Sequence, residues 1–207
     1  HHRRALIHAA RRVTGLETCV DGIPMHGMLD QQILAAMLRN AGLRDAAIRR
    51  AMPEIRRHAQ MYYVRGCPSL ERKVCPGVRR LLGKLERAGI PMGLVSGNFT
   101  RIGWKKVERA GLKRYFGLAA FADMGKDRAA LLRLAIRQAR RRGWITPGTR
   151  VSLVGDTPRD VEAARANGVM AVAVATGLCT RDELEAASPD IVVDDLRSLP
   201  AEALYLV

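Results

Sequence analysis

From Ile90 to the end, short apolar runs alternate with amphipathic stretches of helical period, and this alternation constrains the fold more than any other feature. Ile90–Ser96, Gly117–Phe121, Val151–Gly155, Met170–Ala175 and Ile191–Val193 read as strands. Between them, Phe99–Ala110, Arg128–Arg142 and Asp160–Asn167 repeat apolar residues at three- and four-residue spacing and are stopped by glycines. A helix with Val78, Leu81, Leu82 and Leu85 on one face precedes the first strand, opened by Pro76 and closed by Gly89. Strands alternating with helices predict a parallel sheet covered on both faces, an α/β class with Rossmann-like winding.

Residues 1–72 have a different texture. Leu6, Ala9, Ala10 and Val13 sit at helical spacing before Gly15, and Ile33, Leu34, Met37 and Leu38 repeat the pattern before Gly42. A third helical stretch, Ala46–Val64, is expected to break or begin at Pro53. The chain therefore divides into a helical unit, 1–72, and an α/β core, 73–207.

Composition removes several classes. No apolar run approaches the ~18 residues of a membrane span. Cys19, Cys67, Cys75 and Cys179 are scattered with no CxxC pair, which argues against a zinc site and for a reduced, cytoplasmic protein. The net charge of +15 raises nucleic acid as a partner. It is discounted, because the arginines are spread over many helices and aromatics make up only 4% of the chain, too few for stacking platforms. Oligomeric state is not legible.

In a parallel α/β sheet, ligands bind beyond the carboxyl ends of the strands. Ser96-Gly97-Asn98 follows the first strand and leads into a helix, where a hydroxyl and backbone N–H groups suit a phosphate oxygen. Lys126 and Arg128 flank the start of the next helix, where a cation can pair with a phosphate and a carboxylate. Asp156 ends a strand, and Asp160 follows one helical turn later. Together they can hold a hard cation, one directly and one through water, although Asp160 could equally cap its helix.

In this order, LVSGN, KDRAALLRLA and VSLVGDTPRDVEAARANG resemble motifs II, III and IV of the haloacid dehalogenase (HAD) superfamily, and most nearly those of its phosphoglycolate phosphatase-like branch. PGVRRLLGKLERAGI resembles the helix leading into motif II, and TGLETCVDGIPMHGMLDQQIL the opening of the helical cap. The resemblance implies a Rossmann-like core with a four-helix-type cap, and Mg2+-dependent hydrolysis of a small phosphorylated substrate through a phosphoaspartate. It implies that Ser96, with Gly97 and Asn98, binds the phosphoryl group. Arg128, or failing it Lys126, is the motif III cation, and Asp156 and Asp160 serve the metal. His26, Asp30 and Gln31 lie in the cap where they could face substrate, although a structural role is the commoner one for polar loop residues. The superfamily also contains phosphomutases and dehalogenases.

Motif I, an apolar strand followed by DxDx[TV], has no counterpart in these residues, and it is the motif that supplies the nucleophile. The chain is therefore expected to be an N-terminally incomplete version of an active enzyme, inactive as it stands. About 20 further residues, a strand and its loop, would complete it. The alternative is a non-catalytic protein of the same fold that binds phosphate or a partner.

Overall fold

Burial of a single stripe explains each helix of the amino-terminal region. The computed structural model of the chain describes residues 1–205. In α1 (His2–Thr14), Ala5, Leu6, Ala9 and Ala10 are buried, and Gly15 ends the helix in the left-handed conformation, φ 73°. In α2 (Asp30–Asn40), Ile33, Leu34, Met37 and Leu38 face inward. The third helix, α3 (Asp45–Gly66), runs unbroken through Pro53, contrary to the expected break. Pro53 itself is exposed, while Ile48 on one side and Ile55, Ala59 and Tyr63 on the other are buried. A proline inside a helix costs about 3 kcal/mol. Each buried large apolar side chain returns roughly 1.5–3 kcal/mol, so the apolar stripe outweighs the proline. The 1–72 stretch thus holds three helices and a short 3-10 turn at Glu71–Lys73, not the four-helix arrangement expected.

The remaining elements alternate as read: α4 (Val78–Arg87), β1 (Gly93–Ser96), α5 (Thr100–Arg109), β2 (Leu118–Phe121), α6 (Arg128–Arg141), β3 (Ser152–Gly155), α7 (Pro158–Arg165), β4 (Met170–Val174), α8 (Arg181–Ala186) and β5 (Ile191–Val193). Every strand pairing is parallel. The two faces of β4 show why helices cover both sides. Ala171 and Ala173 pack with Val161 and Ala164 of α7 and Leu184 of α8, whereas Val172 packs with Leu81 and Leu85 of α4 and with Leu199 and Leu204. This is the two-residue alternation of a strand buried on both faces.

Two boundaries differ from expectation. β1 starts at Gly93 rather than Ile90. α7 starts at Pro158 rather than Asp160, because Thr157 and Asp160 form a reciprocal capping box around a proline at the first helical position.

The strands fall into two sheets: β1 pairs with β2, and β3–β4–β5 form a three-stranded sheet. Among the described residues nothing pairs with the second edge of β1 or of β3. Helix α6 covers β1 and β2, α7 covers β3 and β4, and the two helices pack on each other, so both sheets lie under one helical layer.

Candidate active site at the strand ends

The first loop is built by contacts that reach across the molecule. Ser96 closes β1, and its Oγ accepts the Asn98 N–H at 3.2 Å. Gly97 is buried, and a Cβ there would lie 2.6 Å from the Met28 carbonyl oxygen and 3.3 Å from an Arg128 guanidinium nitrogen. Only glycine permits this approach. The helix N-terminus that follows is already occupied. Phe99 N–H donates to Asp30 Oδ2 (2.8 Å), Thr100 N–H to Asp123 Oδ1 (2.9 Å) and Arg101 N–H to Gln60 Oε1 (2.8 Å). The helix-terminal N–H groups expected to meet a phosphate are thus satisfied by side chains, and Asn98 is committed to Ser96 and Asp30, leaving the Ser96 hydroxyl and the Gly97 N–H as the loop's own donors.

The second loop carries the cations. Asp127 caps α6, accepting the Ala130 N–H at 2.8 Å, and Arg128 is its first helical residue. Arg128 Nε lies 3.2 Å from Asp160 Oδ1, both side chains being largely shielded, and its Nη2 reaches the Gly27 carbonyl at 3.4 Å. The contact with Asp160 is ionic, since the buried Nε has no hydrogen-bond acceptor in line. Lys126 is exposed and makes no ion pair among the described residues. The geometry therefore brings Arg128, and not Lys126, to the aspartates.

The third loop holds the two carboxylates. Asp160 Oδ2 accepts the Thr157 hydroxyl (2.7 Å) and N–H (3.2 Å) while Oδ1 faces Arg128, so Asp160 caps its helix and pairs a cation at once. Asp156 keeps an exposed flank. Burial of the remainder, then the charge of Asp160, pushes its carboxyl above the ordinary range, against the pull of its own N–H, Arg128 and His26. Two glycines make room for the pair. A Cβ on Gly155 would lie 2.3 Å from Asp160 Cβ, and one on Gly177 2.4 Å from Asp156 Oδ2. Sequence reading passed over Gly155 and the capping Thr157, although T-x-x-D before an apolar run was a legible signal.

Of the three cap residues, Asp30 is fully buried and Gln31 bonds the Gly125 carbonyl at 2.8 Å, both structural placements, whereas His26 is exposed. A cavity of about 490 Å³ opens beside Arg128, lined also by Gly27, Met28, Gln32, Arg159 and Glu162. Among the described residues no three His, Cys, Asp or Glu side chains converge on a metal-sized point, and no helix is long and apolar enough to cross a membrane. All four cysteines are free.

Residues 123–199 match the Hydrolase_like family, described as HAD-hydrolase-like. The chain is 33% identical over 171 residues to a phosphoglycolate phosphatase of Synechococcus elongatus, covering 82% of this chain and 74% of that protein. It is 28% identical over 202 residues to a phosphoglycolate phosphatase of Pseudomonas syringae, covering 94% and 69%. Among solved structures, a predicted phosphoglycolate phosphatase from Haemophilus somnus superimposes with a TM-score of 0.67 at 17% identity, over 98% of this chain and 88% of that one. A β-phosphoglucomutase from Clostridium difficile gives a TM-score of 0.69 at 15% identity, over 98% and 86%.

Proposed function

The chain belongs to the HAD superfamily of hydrolases, in its phosphoglycolate phosphatase-like branch, and on that premise we propose that it hydrolyses a small phosphomonoester of the phosphoglycolate type with Mg2+ bound at Asp156 and Asp160. The observation that carries the reading is the meeting of three strand-end loops around Arg128, which bridges Asp160 and the approach to Gly97.

In this reading the Ser96 hydroxyl and the Gly97 N–H hold the phosphoryl oxygens, and Asn98 shapes the substrate-binding loop around them. Arg128 neutralises their charge and fixes Asp160. A hard cation with one or two carboxylates completes its shell with water and phosphate oxygens, so a two-aspartate set fits magnesium. The raised proton affinity of Asp156 beside Asp160 marks a site where a cation relieves repulsion. Bound there, magnesium supplies positive charge to the transferring group.

The attacking carboxylate is proposed to lie on a strand outside these 207 residues, seated between β1 and β3. Both have an unpaired edge, both run parallel to their partners, and both end at the site. A parallel strand between them would satisfy both ladders and deliver its last residues between Ser96 and Asp156. Its carboxylate would attack phosphorus as the ester oxygen leaves with a proton. Water would then cleave the phosphoaspartate to inorganic phosphate. Residues 1–72 would act as the cap that covers the leaving group, residues 73–207 as the core, and the free cysteines suit the cytoplasm.

The test is phosphate release from phosphoglycolate and a panel of small phosphomonoesters, with magnesium, by the chain extended with the residues encoded immediately upstream. Activity lost on chelation and in Asp156→Asn supports the proposal. A non-catalytic phosphate binder would release none.

A further inference from the structure

The strip Gly27–Gln32 touches each of the three loops that carry the candidate site. Gly27 accepts from Arg128 and abuts Thr157; the Asp30 N–H donates to the Gly97 carbonyl at 2.7 Å; Gln31 and Gln32 donate to the carbonyls of Gly125 and Lys126 at 2.8 and 3.2 Å.

Within this strip Asp30 is the anomaly. Its side chain is 1% exposed, yet it carries a carboxylate at the first position of α2, where open solvent would serve as well for a helix start. A charge is kept dry only where it is hydrogen-bonded. Its partners lie in other elements: Phe99 N–H on Oδ2 (2.8 Å), and Asn98 Nδ2 (3.1 Å) and His2 Nε2 (3.0 Å) on Oδ1. Asn98 is also the residue whose N–H engages Ser96 Oγ, so Asp30 is one link removed from the phosphoryl-binding hydroxyl. Gln60 of α3 holds the next-but-one N–H, that of Arg101. Two of the first three N–H groups of the segment after the loop therefore depend on side chains of the 1–72 helices.

We propose that Asp30 is a positioning residue, whose carboxylate fixes the Ser96–Asn98 loop in its phosphate-binding shape only while the 1–72 helices are seated on the core. The inference deepens the phosphatase reading, on which it rests for the loop's role. Unseating the helices would strip Phe99 N–H and Asn98 of their partner and loosen the loop.

Hydrogen–deuterium exchange on the 207-residue chain tests it without requiring turnover. In Asp30→Ala, exchange across 97–101 should rise about tenfold, the loss of bonds to a charged acceptor. Asp30→Asn, which keeps one acceptor oxygen and the side-chain volume, should give a smaller rise and stands in if the alanine variant does not fold. Helix α6 and strand β4 should be unchanged in both. Gln31→Ala should loosen 123–127 and leave 97–101 as it was. A uniform rise over the whole chain, or none at 97–101, overturns the proposal. In the extended, active protein, Asp30→Asn should raise KM for the phosphomonoester about tenfold with kcat within about threefold, as loss of uniform binding does. A fall in kcat at unchanged KM overturns it. If the parent protein hydrolyses no phosphomonoester, the phosphatase reading fails, and the exchange data alone decide whether Asp30 holds the loop.

Discussion

Arg128 Nε stands 3.2 Å from Asp160 Oδ1, joining the first residue of α6 to the first turn of α7 with both side chains at or below 15% exposure. Removing one member of a shielded pair leaves the other charge uncompensated. Arg128→Ala should therefore destabilise the chain by about 3–5 kcal/mol. Lys126→Ala, at an exposed side chain without an ion pair, should change stability by less than about 0.5 kcal/mol. Urea denaturation of the two variants beside the parent checks the contrast. Equal effects would remove Arg128 from its assigned place.

The glycines under the aspartates give a second prediction. Gly155→Ala drives a methyl into the Cβ of the buried Asp160 at 2.3 Å, and should cost about 1–3 kcal/mol. Gly177→Ala meets Asp156, whose flank is open and can swing outward. It should leave the melting temperature nearly unchanged while weakening the stabilisation that magnesium confers. Thermal melts with and without magnesium read both effects.

Lys106 on α5 supplies the pH dependence. Burial lowers its pKa against the opposing charges of Asp30 and Cys67, and it has no ion pair among the described residues. The folded state therefore binds this proton less tightly than the unfolded chain does. Stability should rise as pH increases through the interval between the lowered value and the ordinary lysine range, and fall as pH drops back through it. Lys106→Met should flatten that slope and be more stable than the parent at neutral pH. A steeper slope in the variant would contradict the assignment.

The unpaired edges of β1 and β3 lead to a third structural expectation. Open ladders recruit other strands. The 207-residue chain should self-associate at high concentration, and a chain extended by the residues encoded upstream, if they supply the strand proposed between β1 and β3, should stay monodisperse and unfold at higher urea. Light scattering and denaturation of the two proteins compare them directly.

Much of this architecture is legible in the residues. The β3–α7–β4 unit follows from its apolar runs and Gly168, and α6 from Asp127 and its leucines. Other features depend on partners distant in sequence. Pro53 reads as a break because its cost is local, while the burial of Ile55 and Tyr63 that overrides it is tertiary. The division of the sheet is set by which strands find a ladder partner, a pairing between distant residues that local periodicity does not encode. In the site, Ser96, Arg128, Asp156 and Asp160 stand at strand ends and helix starts, where spacing reveals them. Asp30 was visible only as a polar loop residue, because the groups that give it meaning, Asn98 and Phe99, are 68 and 69 positions away.

The loops around Arg128 are proposed to serve phosphomonoester hydrolysis. The most direct test is inorganic phosphate release from phosphoglycolate by the upstream-extended protein in magnesium, alongside Asp156→Asn. The parent should turn over in a manner that chelation abolishes, and the variant should lose at least about a hundredfold, as removal of a charge-stabilising group at a reacting centre gives. Turnover that survives both Asp156→Asn and chelation, or no release from any phosphomonoester tried, would contradict the proposal.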